Sequence, residues 1–143
     1  MTLDELMTRF ARNNGIELPK PDNGRYQIPL EGVAIECFQE GDKVCLLTEV
    51  APLAKSEAQQ QSQSRLLLEK TIGLIQEQRC ALTLDEQSQT YQLYQRLSLQ
   101  ELRLEEFQEA VEKFGGCVLY YKNILGLGGD TNNSATVVGR MMP

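Results

Sequence analysis

Four thiols, two acidic pairs and one glycine-rich stretch are the residues whose types could do chemistry. Cys37, Cys45, Cys80 and Cys117 would supply a nucleophile or a metal site. A Cys-only metal site needs close spacing such as C-x-x-C, and these four are widely separated. A thiol or hydroxyl nucleophile needs a base, and the chain has no histidine. The usual general base and commonest metal ligand is therefore missing, and Cys-His or Ser-His arrangements are excluded. Asp85-Glu86 and Glu105-Glu106 could pair as acid and base, but turn or helix surfaces explain them as solvated charge. Gly126-Leu127-Gly128-Gly129 looks like a phosphate loop. It lacks the GK[ST] ending and follows a helix instead of joining a strand to one. No catalytic residue, metal ligand or cofactor is assigned. A binding protein is expected, with a small enzyme of unknown type as a rival.

The net charge of -6, from 14 Lys+Arg against 20 Asp+Glu, repels phosphate backbones, so no nucleic-acid partner is expected. No run reaches 18 apolar residues, so no membrane insertion is expected. The opening MTLDELMTRF carries Asp4 and Glu5 and has no apolar core of a signal peptide. Reduced cysteines and a cytoplasmic location are the matching expectations.

The elements that must position any binding surface follow from periodicity. Thr2 and Glu5 form a capping box, and apolar residues at 3, 6, 7, 10 and 11 span about 140° of one helical face. Asn14-Gly15 ends that helix. Pro19, Pro21 and Asp22-Asn23-Gly24 are turn residues. Strands follow at 25–30, 33–39 and 43–50, an antiparallel meander with short turns. Pro29 lacks an N–H and suits an edge. A helix over 56–76, capped by Ser56 or Ser62, leads to strands at 79–84 and 90–97. A last helix covers 104–125, with Gly115-Gly116 marking a bend or a close neighbour. The expected fold is α+β, α-βββ-α-ββ-α, with a twisted antiparallel sheet. Residues 1–125 form one domain and 126–143 a mobile tail.

The middle helix turns from glutamine and serine into RLLLEKTIGL (65–74). Its apolar residues cover about 160° of the wheel, with Leu66 on the polar side, whereas a helix on one sheet needs roughly 100°. A second copy of the chain would cover the surplus, since a two-fold pairs one patch with itself. The other reading is a fully enclosed helix of a monomer. In the meander, Ala34 and Phe38 oppose Ile35 and Cys37, and Cys45 and Leu47 oppose Val44 and Leu46. Either the helices cover both faces or one face keeps an exposed patch.

These segments resemble the class I chaperones of bacterial type III secretion, the Tir-chaperone-like family, over about residues 1 to 125. The resemblance is carried by LDELMTRFARNNGI, EGDKVCLLTEVAPL, RLLLEKTIGL and CALTLDEQSQTYQLYQRLSL, with the element order, small size and pI of 4.7. It implies a homodimeric chaperone that uses no ATP and holds the N-terminal segment of one or more secreted effectors extended for export. The secretion ATPase is a further candidate partner. Carried onto this chain, the dimer would use Leu66, Leu67, Ile72 and Ile75 with Leu82, Tyr91 and Leu93. The effector would dock on Leu3, Leu6, Phe10, Ile28, Leu30, Ile35, Phe38 and Leu46. Rival binding functions are a regulatory adaptor dimer that sequesters a secretion or transcription regulator, and a general stress chaperone.

Overall fold

The computed structural model describes residues 1–30, 32–78 and 80–129, with the side chains of 68, 70–78 and 126–129 outside that description. Helix α1 (Leu3–Asn14) begins at the capping box. The Thr2 hydroxyl accepts the Glu5 N–H at 3.2 Å, and the Glu5 carboxylate accepts the Thr2 N–H at 3.3 Å. Those bonds hold the Glu5 carboxyl below its ordinary range. The helix stops at Gly15, whose φ of 64° sends its N–H back to the carbonyls of the last turn.

Strands β1 (Tyr26–Leu30), β2 (Val33–Glu40) and β3 (Lys43–Pro52) form the meander. Helix α2 (Glu57–Gln78) then crosses to the hairpin of β4 (Ala81–Asp85) and β5 (Thr90–Ser98). The sheet order is β1-β2-β3-β5-β4, with every pair antiparallel. Strand β5 therefore pairs with β3, leaving β1 and β4 as the edges. Pro29 sits on one of them, where its missing N–H breaks no interior ladder. The β3–β5 register slips between Glu49 and Ala51, a bulge that strengthens local twist.

Helix α3 (Leu104–Gly129) lies across the middle of the sheet. Phe107, Val111, Phe114, Val118, Tyr121 and Leu125 recur at helical spacing and are all buried. They meet Ile28, Val33, Ile35, Cys37, Val44, Leu46 and Leu93 from one face of the sheet and Leu3, Leu6, Met7 and Phe10 from α1. The Phe10 and Phe107 rings meet edge to face, 5.3 Å between centroids and 80° between planes. The Asn14 and Gln108 side-chain amides exchange bonds of 2.7 and 3.0 Å, tying the end of α1 to α3. Helix α3 runs on through 126–129, which the sequence reading gives to a tail. Residues 130–143 of that tail lie outside the described residues.

The two adjacent glycines of α3 have different roles, and no break in the helix separates them. A Cβ on Gly115 would fall 2.3 Å from Leu30 Cδ2, so α3 rests directly on β1 there, whereas Gly116 faces open space. Gly116→Ala is expected to stabilise the fold by about 0.5–1 kcal/mol through helix propensity. Gly115→Ala should give no such gain, because Leu30 must move, and Gly115→Val should cost about 1–3 kcal/mol by overpacking. Urea denaturation of the three variants checks this; equal stabilisation by both alanines would remove the close-approach explanation.

Candidate functional site

The prolines and the Asp22-Gly24 turn bring the chain from α1 back along the sheet edge, and this return creates two clefts. The first, about 440 Å³, lies between the start of α1, the 21–26 turn and the end of β2. Leu3, Tyr26 and Phe38 give it apolar wall, and Asp4, Arg25 and Glu40 give it charge. The second, also about 440 Å³, runs between α1 and residues 16–21, walled by Met7, Ala11, Ile16 and Leu18. Tyr26 borders both and donates its hydroxyl to the Asp4 carboxylate. Burial, then that bond to Asp4, pushes the Tyr26 phenol up to about 12, so it stays a proton donor at neutral pH.

On the sheet face opposite the helix-covered core, Phe38 and Cys45 are covered by side chains of the sheet and its flanking turn. Arg25 lies 4.1 Å above the Phe38 ring and pairs with Glu36 at 3.2 Å. Phe38 is buried beneath this guanidinium, a cation–π arrangement. Next to it Tyr94 donates to Glu40 at 3.0 Å, and the Cys45 thiol lies 3.3 Å from both. The bonds from Tyr94 and then Cys45 hold the Glu40 carboxyl below its ordinary range. Of the two sequence readings of this region, the one with helices on both faces is not what the structure shows: α1 and α3 pack on the same core, and on the other face Phe38 and Cys45 are buried while Ala34 is exposed and Leu47 half-buried.

The docking residues expected from the sequence therefore divide. Leu3 and Phe38 line the first cleft, although both are mostly enclosed. Leu6, Phe10, Ile28, Ile35 and Leu46 lie in the core, and half-buried Leu30 packs against Gly115. Met7, Ile16, Leu18, Arg25 and Tyr26 were not foreseen. The Pro19-Lys20-Pro21 bracket, which forces the chain back across α1, was the available signal for them.

The expected pairing residues divide as well. Leu66, Leu67 and Leu82 are half-buried, Tyr91 and Leu93 are buried within their own subunit, and Ile72 and Ile75 fall outside the described side chains. Among the described residues the large apolar side chains left exposed on secondary structure are Leu84 on β4 and Leu119 and Tyr120 on α3. Leu84 follows Leu82 on the same face of the β4 edge.

The described residues contain no cluster of three or more metal-binding side chains and no helix long and apolar enough to cross a membrane. The family model of the Tir chaperone protein (CesT) family matches residues 5–116. The fold is similar to a chain of the HopA1–SchA chaperone–effector complex, with TM-score 0.66 and 18% identity, covering 84% of this chain and 92% of that one. It is similar to a chain of the ExsC–ExsE complex, with TM-score 0.67 and 16% identity over 87% and 97%. A third likeness is to the Yersinia pestis type III secretion chaperone SycH in complex with a stable fragment of YscM2, with TM-score 0.62 and 12% identity over 84% and 99%. At these identities the likeness is one of fold. No curated protein matches the chain.

Proposed function

The chain belongs to the Tir chaperone protein (CesT) family, and from that premise we propose that it is a type III secretion chaperone. It binds the N-terminal segment of one or more secreted effectors in the bacterial cytoplasm and keeps that segment extended and ready for export. The observation that carries this reading is the family match, which runs from α1 through all five strands to the middle of α3. The work is non-catalytic: the protein supplies surface, and the effector supplies flexible chain.

The clefts beside α1 support a specific binding mode. An extended segment presents side chains on alternate sides, so its apolar residues enter the clefts while charged ones remain in water. The open edge of β1 offers main-chain groups whose bonds depend little on effector sequence. Ordering a flexible segment costs several kcal/mol, which keeps the complex releasable. Two subunits, paired through α2 and the β4 edge, would hold one chain at two tethered sites, so weak contacts gain avidity.

The test is purification with a candidate effector's N-terminal segment, followed by titration calorimetry and light scattering. Ala11→Arg fills the second cleft without removing a buried side chain. It is expected to weaken binding at least tenfold, about 1.4 kcal/mol, while leaving thermal stability near wild type. Unchanged affinity would remove the cleft from the mechanism. A mass of one chain at micromolar concentration would remove the dimer, and failure of every secreted N-terminal segment to bind would remove the function.

A further inference from the structure

The binding function makes no use of sulfur, yet two of the four cysteines lie against each other. Cys80, just before β4, and Cys117, in the middle of α3, place their sulfurs 3.9 Å apart. They are 37 residues apart in sequence. Cys117 is buried and Cys80 partly buried, so Cys80 is the member of the pair nearer solvent. The other two thiols are placed differently. Cys37 is buried in the core, where desolvation pushes it up to about 12, and Cys45 is engaged with Glu40 and Tyr94.

We propose that Cys80 and Cys117 are a redox-active dithiol, which a small disulfide such as glutathione disulfide converts to an intramolecular disulfide stapling the α2–β4 joint to α3. This modification does not depend on the chaperone reading. The Cys80 thiolate attacks one sulfur of the oxidant, forming a mixed disulfide and releasing one glutathione thiol. The Cys117 thiolate then attacks the Cys80 sulfur, forming the Cys80–Cys117 bond and releasing the second. The two cysteines lose two electrons and two protons, and the oxidant becomes two thiols. The sulfurs must close from 3.9 Å to about 2.0 Å. Cys80 directly precedes the β4 ladder, which begins at Ala81, while Cys117 lies inside α3. The two sulfurs share one S–H contact, which stabilises a single thiolate between them, and Cys80, the less buried of the two, presents it to the oxidant while Cys117 resolves the mixed disulfide.

The full chain, reduced and then exposed to glutathione disulfide, is alkylated and digested without reductant. The expected result is two alkylated cysteines instead of four, a peptide pair joining Cys80 to Cys117, and a mass lower by about 2 Da. Closing a loop of that length should raise Tm by roughly 5–10 °C, reversed by dithiothreitol. Cys80→Ser, at a partly buried position, should abolish both the linked peptide and the Tm rise. Four alkylatable thiols, a glutathione adduct that persists on Cys80, or a linkage through Cys37 or Cys45 would each overturn the proposal.

Discussion

Phe10→Asp abolishes cooperative folding of the free protein, before any partner is added. Phe10 is 3% exposed and its ring meets Phe107 at 5.3 Å. Truncation alone, as Phe10→Ala, should cost about 3–5 kcal/mol through lost transfer energy and the cavity left behind. A carboxylate at the same place adds an unpaired charge in an apolar site, a penalty of several kcal/mol more. A domain of this size has roughly 5–15 kcal/mol of net stability, so the sum removes most or all of it. Urea denaturation followed by circular dichroism checks both variants. If Phe10→Asp unfolds at the wild-type midpoint and loses only effector affinity, Phe10 is a docking residue and its contact with Phe107 is not maintained in solution.

That result bears on how much of the site could be read from the chain. The Thr2–Glu5 capping box and the spacing of Leu3, Leu6, Met7 and Phe10 locate α1, because caps and periodicity are local. Alternation in Val33, Ile35 and Cys37 locates β2, and Pro29 marks β1 as an edge. The same apolar stripe on α1 has two explanations, however: a helix turns an identical face toward its own core or toward a partner. The structure chooses the core, through Phe107, a residue distant in sequence. Strand order was also beyond local reading, since alternation does not say whether β3 pairs with β4 or β5. Phe38 and Cys45 looked like an exposed patch or a surface under a helix. Their covers are Arg25, Glu40 and Tyr94, and the Tyr94–Glu40 bond joins residues 54 apart. The clefts were least legible of all, because they are made by where the proline-bracketed return of the chain comes to rest.

Gln63 makes the same point with a buried polar group. It sits in a run of glutamine and serine that composition assigns to solvent, yet it is 1% exposed. Its side-chain carbonyl accepts the Ala54 N–H at 2.9 Å, and its side-chain amide donates to the Pro52 carbonyl at 3.2 Å. Gln60 donates to the Ala54 carbonyl at 2.9 Å, so two glutamines one turn apart hold the link from β3 into α2. Gln63→Leu keeps the volume and adds apolar surface, which a solvent-facing helix position would tolerate. Here it strands a backbone donor and a backbone acceptor, and the expected loss is about 2–4 kcal/mol. Gln63→Glu supplies the acceptor but buries a charge and lacks the donor at neutral pH. Burial raises the folded pKa of such a carboxyl, so this variant should regain stability as pH falls below that value and the carboxylic acid donates to Pro52. Parallel urea titrations at neutral and mildly acidic pH separate the cases. A Gln63→Leu chain as stable as wild type would mean that water reaches the Pro52–Ala54 turn and that α2 is not anchored by this amide.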